Sequence, residues 1–413
     1  NPFRIDRFDA HTCSAKHAYT PEQSAADNGA LDRFVEELGP TNPTAECPKK
    51  IAMGYYDGNT VTALWNYAQR FAMNDETFGT TYGPSSVGAI NLISGQTHGA
   101  TPTTLKNNVA NGTLIGDPDP KFEDCTKAKT PVELSGQNIG DLLTAANVTW
   151  GWFQGGFHRT ATKPDHVTAI CGAHHVNSAG DVDPDYTPHH EPFQYYASTS
   201  NPHHLPPLAV ADIGTNADQT NHQYDVSSFW AAANNGTMPA VSFLKAPAYQ
   251  DGHPSSSDPL AEQKWLVTTI NRIQQLPEWS STVVIVAYDD SGGWYDHVYM
   301  APVNPSNDAA DTLNGPANCG GAPGVGAYLD RCGYGPRLPL LVISPWSRRN
   351  FVDHTVNDQT SILRLIESRW AVGPIGDQSF DAIAPAGSLL GMLDFAHPHP
   401  APLLLDPTTG LPQ

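Results

Sequence analysis

Two aspartates, Asp289 and Asp290, stand side by side after the apolar run STVVIVA, and Ser291, Gly292 and Gly293 follow them. Adjacent carboxylates repel unless a proton or a cation lies between them. A hard divalent ion with oxygen ligands relieves that repulsion, and paired glycines let the backbone pass closely around it. The alternative is a bare acidic turn with an Asx cap. A second candidate is the stretch Thr80–Ile90, in which Gly83-Pro84 turns the chain and Ser85-Ser86 opens an apolar helix, SVGAINLIS. A hydroxyl at a helix start sits among backbone N–H groups that suit a phosphate, although serine there is also a common N-cap.

Histidine is the third signal. Of 17 histidines, several lie in loops beside proline or acid: His17 in KHAYTPEQ, His189 and His190 in YTPHHEPF, the pair His203 and His204, and His253 in DGHPSSSD. Imidazole is the natural proton carrier near neutral pH. Arg337, in GPRLP ahead of an apolar run, is either a phosphate clamp or a structural cation. Trp294 and Tyr295 follow the paired aspartates, and Tyr186, Phe193, Tyr195 and Tyr196 flank the histidine loop. Such rings either pack in the core or form a cage for a choline head group, whose cation–π attraction is ~0.5–2 kcal/mol per ring. No Walker A loop, GxSxG elbow or HExxH motif occurs, which disfavours NTPase, α/β-hydrolase and zincin chemistry.

Regular elements must position these groups. Helical spacing predicts helices over Ala26–Leu38 and Thr60–Phe71, one from Asn138 as N-cap through IGDLLTAA, and one from Thr360 through TSILRLIESRW. The runs VTWGWF, STVVIVAYDD and LPLLVISP predict strands, the latter two covered on both faces. Helix-then-strand units of this kind specify an α/β fold. Residues 160–221 lack periodicity and are dense in His, Pro, Asp and Tyr, so they predict an ordered, irregular cap within a single domain spanning 1–413.

The chain of 413 residues carries a formal charge of −20, which argues against nucleic acid as a partner and against tight docking on anionic membranes. No apolar run reaches the ~18 residues of a membrane span. The sequence begins at Asn1, as after processing or truncation. Its six cysteines show no CxxC spacing and predict disulfides in an oxidising compartment. Cys319 and Cys332 bracket a Gly-rich loop and form the first pair; proximity in sequence pairs Cys13 with Cys47 and Cys125 with Cys171.

Together, these segments resemble the bacterial phospholipase C and acid phosphatase family of phosphoesterases, in its short form without C-terminal β-domains. The resemblance runs over nearly the whole chain, from NPFRIDRFDAHTCSAKHAYTPEQ through FGTTYGPSSVGAINLISGQTHG, HHEPFQYY, DGHPSSSD and YDDSGGWYDHV to LLLDPTTG. It implies an alkaline-phosphatase-like fold with a central, mostly parallel sheet flanked by helices. It implies Ser85 as nucleophile and metal ligand, Asp289 and Asp290 as metal ligands, and His17, His189, His190 and His253 around the phosphate. It also implies one divalent metal (Ca, Mg, Mn or Zn). A Glu-Asn-x-Ser-Phe-Asp-His-type motif, absent here and expected upstream, would complete the metal site. The expected reaction is in-line phosphoryl transfer through a phosphoserine, with His253 or His190 protonating the leaving group. The expected enzyme is a secreted or periplasmic phospholipase C in transient contact with a membrane or micelle. A phosphomonoesterase and a non-catalytic phosphate- or lipid-binding fragment are the alternatives.

Overall fold

The structure is a computed structural model that describes residues 1–45, 47–320, 329, 331–383 and 386–413. Two sheets form its centre. In the first, Trp150–Gln154 lies between Gln223–Asp225 and Val241–Lys245 and runs parallel to both. In the second, the order is Val284–Ala287, Leu340–Ile343, Ala72–Asn74, Phe351–Asp353. Leu340–Ile343 is antiparallel to both neighbours, whereas Phe351–Asp353 and Ala72–Asn74 are parallel. The α/β class expected from the sequence holds, with three of these five pairings parallel.

Several elements follow directly from local sequence. Trp150–Gln154 (WGWFQ) and Leu340–Ile343 (LLVI) are buried at every residue, so neither shows alternation. Asn138 caps the helix Ile139–Ala145, its Oδ1 accepting the N–H of Gly140 at 2.9 Å, while Asp141 reciprocates to the Asn138 N–H at 3.0 Å. Helices Thr62–Arg70 and Gln359–Trp370 occupy the expected segments. All three disulfides form in the expected pairing, Cys13–Cys47, Cys125–Cys171 and Cys319–Cys332.

Two expectations fail. Of the helix expected over Ala26–Leu38 only Phe34–Glu37 forms; the helix Tyr19–Ala26 ends where it was expected to begin, and a 3-10 turn, Asp27–Gly29, follows. Asn28, Gly29 and Leu31 between them take positive φ, and the Tyr299 ring packs against Gly29 so closely that a Cβ would lie 2.9 Å from it. Phe34 and Leu38 are still buried, which is why the spacing looked continuous. The strand expected to be covered on both faces is shorter, Val284–Ala287, and lies at its sheet's edge; Val286 is buried but Ala287 is exposed. The β-branched run reports strand propensity here, not depth of burial.

Residues 160–221 form two short hairpins, Ala161–Thr162 with Ala169–Ile170 and His174–Val176 with Val182–Pro184, followed by 3-10 turns. Their aromatic residues anchor the segment from within. Phe193, Tyr195 and Tyr196 are buried in the same core cluster as Trp150 and Trp152, with the Phe193 ring 4.8 Å from that of Trp150.

Candidate active site

Ser85 is the first residue of the helix Ser85–Ser94, and the N-cap position falls on Pro84, whose side chain makes no capping bond. The Ser85 hydroxyl donates instead to Asp290 Oδ2 at 2.8 Å. Ser86 faces elsewhere: its hydroxyl donates to the His189 carbonyl at 3.0 Å and its N–H to Asp117 Oδ1 at 2.9 Å. The two adjacent serines are thus distinguished by tertiary contacts.

Two glycines make this approach possible. At Gly88, on the Ser85–Ser94 helix, a Cβ would lie 1.8 Å from the Asp289 carbonyl oxygen. At Gly293 (φ 74°), a Cβ would lie 2.2 Å from the Lys16 carbonyl oxygen. Bare backbone at these positions presses the Asp289–Asp290 turn against the helix on one side and the His17 segment on the other. Gln359 adds a hydrogen bond from its side-chain amide to the Asp289 carbonyl at 3.1 Å.

Negative charge is concentrated here. Partial burial and the neighbouring Asp289 raise the Asp290 pKa, against the opposing effects of His17 and the Gly292 N–H. Glu22, in the His17 motif, is buried, accepts the Gly83 N–H at 2.9 Å and the Ser291 hydroxyl at 2.6 Å, and is still pushed up to about 8 by desolvation. Burial alone would lower His17, but Asp290, the Ala15 carbonyl, Glu22 and Asp117 outweigh it and push it up to about 9.

The four expected histidines converge. The His17 and His253 rings meet edge to face at 5.9 Å, and those of His189 and His190 at 4.5 Å. His189 lies 3.7 Å from Asp119; burial disfavours its charge, but Asp119, Asp117 and Asp289 raise its pKa. His190 is held well below the ordinary histidine range by burial and then by His189, Lys245, His253 and His17. Lys245 ends the strand Val241–Lys245 and pairs with Asp251 at 3.2 Å, and the same carboxylate oxygen lies 3.9 Å from His190. Lys245, Asp251, Asp117 and Glu22 escaped the sequence reading. Lys245, at a parallel strand's carboxyl end, was the one with a usable signal.

Other expected residues lie apart from this cluster. Arg337 donates to Asp296 Oδ2 at 3.1 Å and to the Asp75 carbonyl at 3.0 Å, so it braces loops. The Trp294 ring packs on Tyr56 at 5.7 Å and that of Tyr295 on Phe34 at 5.2 Å. Tyr186 is buried and donates to Glu123 at 2.6 Å. Of the rings that could form a cage or pack in the core, Phe193, Tyr195 and Tyr196 pack in the core. Tyr186 nonetheless lines a cleft of about 460 Å³ with His189, Asp119, Lys127, His174 and Asp183.

Away from Ser85, Glu123, Cys125, Cys171 and His204 bring four ligand-type atoms within 4.8 Å of one another. The two sulfurs are joined in a disulfide, so neither is a thiolate, and His204 Nε2 pairs with Glu123 at 2.7 Å. At the Ser85 site the atoms in contact are all oxygen: the Ser85 hydroxyl and the Asp290 carboxylate, with the Asp289 side chain turned to the Asp290 N–H at 3.2 Å. The carboxylate charge gathered around Asp290 is what a hard cation would neutralise.

The model of the Phosphoesterase family matches residues 1–373. A non-hemolytic phospholipase C of Pseudomonas aeruginosa is 25% identical over 96% of this chain and 50% of its own length. A protein of the same description from Burkholderia pseudomallei is 24% identical over 86% of the chain and 45% of its own length. Phospholipase C A of Mycobacterium tuberculosis is 32% identical over 41% of the chain and 32% of its own length. The chain spans half or less of the length of these relatives.

Proposed function

The chain belongs to the Phosphoesterase family, and from that premise we propose that it is a phospholipase C acting through Ser85. The observation that carries this reading is the 2.8 Å bond from the Ser85 hydroxyl to Asp290 Oδ2, with two histidine pairs nearby, His17 acting on Asp290 and His189 on Asp289. The Ser85 oxygen attacks phosphorus and its proton passes to Asp290. The bond to the leaving alcohol breaks, and that oxygen takes a proton from a histidine. Water then hydrolyses the phosphoserine. His190, held neutral by burial, is a poor donor in the first step; His17 and His189, whose pKa values are raised, suit it better. His17 and His189 thus join His253 as candidate proton donors.

Asp289, Asp290 and Ser85 would hold one divalent metal, which supplies charge stabilisation for the alkoxide and the phosphate oxygens when bound. The cleft beyond His189 gives room for a second ester substituent, which favours a diester over a monoester substrate. Three disulfides fit a secreted or periplasmic protein, and no helix among the described residues is long and apolar enough to cross a membrane.

Ser85→Ala tests the reading. Because Ser85 makes no capping bond, the variant should keep its melting temperature while losing turnover of phosphatidylcholine and of a soluble aryl phosphodiester. Retained activity in Ser85→Ala with loss in Ser86→Ala would move the nucleophile by one residue. Turnover of an aryl phosphomonoester in preference to the diester would favour the phosphatase alternative.

A further inference from the structure

The hairpin His174–Val176 with Val182–Pro184 pairs Val176 directly with Val182, and His174 with Pro184. Side chains two apart on a strand share a face. His174, Val176, Val182 and Pro184 therefore lie on one face. His174 and Pro184 line the cleft that contains His189. Asp183 lines it too, from the opposite face, and the two valines stand next along the hairpin toward its tip, 61% and 66% exposed.

The hairpin is held in place. His175, on the opposite face, bonds Asp185 at 2.7 Å and stacks on Tyr249 at 4.4 Å. The Asn177 side-chain oxygen accepts the N–H groups of Ala179 at 3.0 Å and Asp181 at 2.9 Å, closing the tip, and Ser178 bonds His11 at 2.8 Å. A cross-strand valine pair held in water, one step along the hairpin from cleft-lining residues, leaves apolar area that a lipid surface would cover. Asp181 and Asp183 flank the pair, and the chain's charge is −20, so an anionic surface is disfavoured.

We propose that Val176 and Val182 form an apolar lip that seats the cleft mouth on a zwitterionic lipid surface. The choice of lipid as occupant rests on the phospholipase reading above, since such a substrate must be drawn from a lipid phase. The lip then brings His189 and the cleft to the head-group layer, while the diacylglycerol product remains in the lipid.

The test is the double variant Val176→Asp, Val182→Asp in the full chain, with sedimentation on phosphatidylcholine vesicles and turnover of two substrates. Vesicle binding should weaken at least roughly tenfold. Vesicle turnover should fall in step, while turnover of a soluble aryl phosphocholine diester stays within about twofold, since neither valine lines the cleft. Adding anionic lipid should weaken binding by the parent chain. Unchanged vesicle binding, equal losses on both substrates, or tighter binding to anionic vesicles would each overturn the proposal. So would a parent dimer that the variant dissolves, because the lip would then serve a second copy of the chain. Absence of turnover in the parent on either substrate would sink the phospholipase reading, whereas the vesicle-binding arm reports on the lip regardless.

Discussion

The Ser85 site and the Glu123–His204 knot around the Cys125–Cys171 disulfide both bury acids beside histidines, yet they are built to opposite ends. In the knot, Glu123 accepts from four donors: His204 at 2.7 Å, the Cys125 N–H at 2.7 Å, Tyr186 at 2.6 Å and Gln194 at 3.1 Å. His204 is stacked on Phe157 at 3.9 Å and its charge is sustained by Glu123, although burial opposes it. Every lone pair has a partner, and the disulfide locks the sulfurs. At the Ser85 site, Asp290 has the Ser85 hydroxyl and the Gly292 N–H, and its neighbours Asp289 and Glu22 add like charge. Proximity of ligand-type atoms is common to both. What differs is whether the charge is already satisfied, and the proposed cation belongs where it is not.

The largest effect that would break this contrast is expected at Asp290. Asp290→Asn should lower turnover on the order of a thousandfold. Metal content measured by mass spectrometry should fall with it, and the melting temperature should hold or rise because a repelling charge is gone. Full metal occupancy in the variant would show that the contrast has no bearing on cation binding.

Next in size is removal of the staple. Cys125→Ser with Cys171→Ser should cost about 4 kcal/mol of stability in urea unfolding, because the bond closes a loop of 46 residues. Metal per folded chain should be unchanged. Loss of metal along with the disulfide would place the ion in the knot and reverse the comparison.

The smallest effect sharpens the comparison with a third buried carboxylate. Asp358 caps the helix Gln359–Trp370 through its Oδ1, which accepts the Thr360 N–H at 2.8 Å, while its Oδ2 has no partner. Burial pushes its pKa up to about 6, against its hydrogen bonds and Arg364. A raised carboxyl favours the folded state while protonated, so its cost appears as pH rises from the unfolded value near 4 through about 6. Asp358→Asn keeps a good cap and should remove that slope, on the order of 2 kcal/mol, raising stability above pH 6. A parent whose melting temperature is flat between pH 4 and 7, and unchanged in the variant, would refute this.

Much of the site was legible because it was local. Asp289 and Asp290 are neighbours in sequence, the Gly83-Pro84-Ser85 turn announces a helix start, and Asn138 with Asp141 writes its own capping box. The cysteine pairing followed from proximity because each closing loop is short relative to the chain. Expectations failed where a local pattern had two physical solutions. The Phe34 and Leu38 spacing survives a kink at Asn28–Leu31, and a β-branched run fits an edge strand as well as a central one. Aromatic residues near a histidine loop serve a cage or a core equally well by type, and packing around Trp150 chose the core for three of them.

By itself, the sequence determined the α/β class, the apolar helix that begins at Ser85, the paired aspartates and the supply of histidines, all properties of residue type and short-range spacing. Only the tertiary structure decided which serine meets Asp290, that Gly88 and Gly293 allow the backbones to close around it, and that Lys245 and Asp251 stand behind His190. It alone set His17 and His189 up and His190 down, since those shifts come from charges and burial contributed by segments far apart in the chain. A pKa is a sum over neighbours in space, and spacing along the chain does not encode that sum.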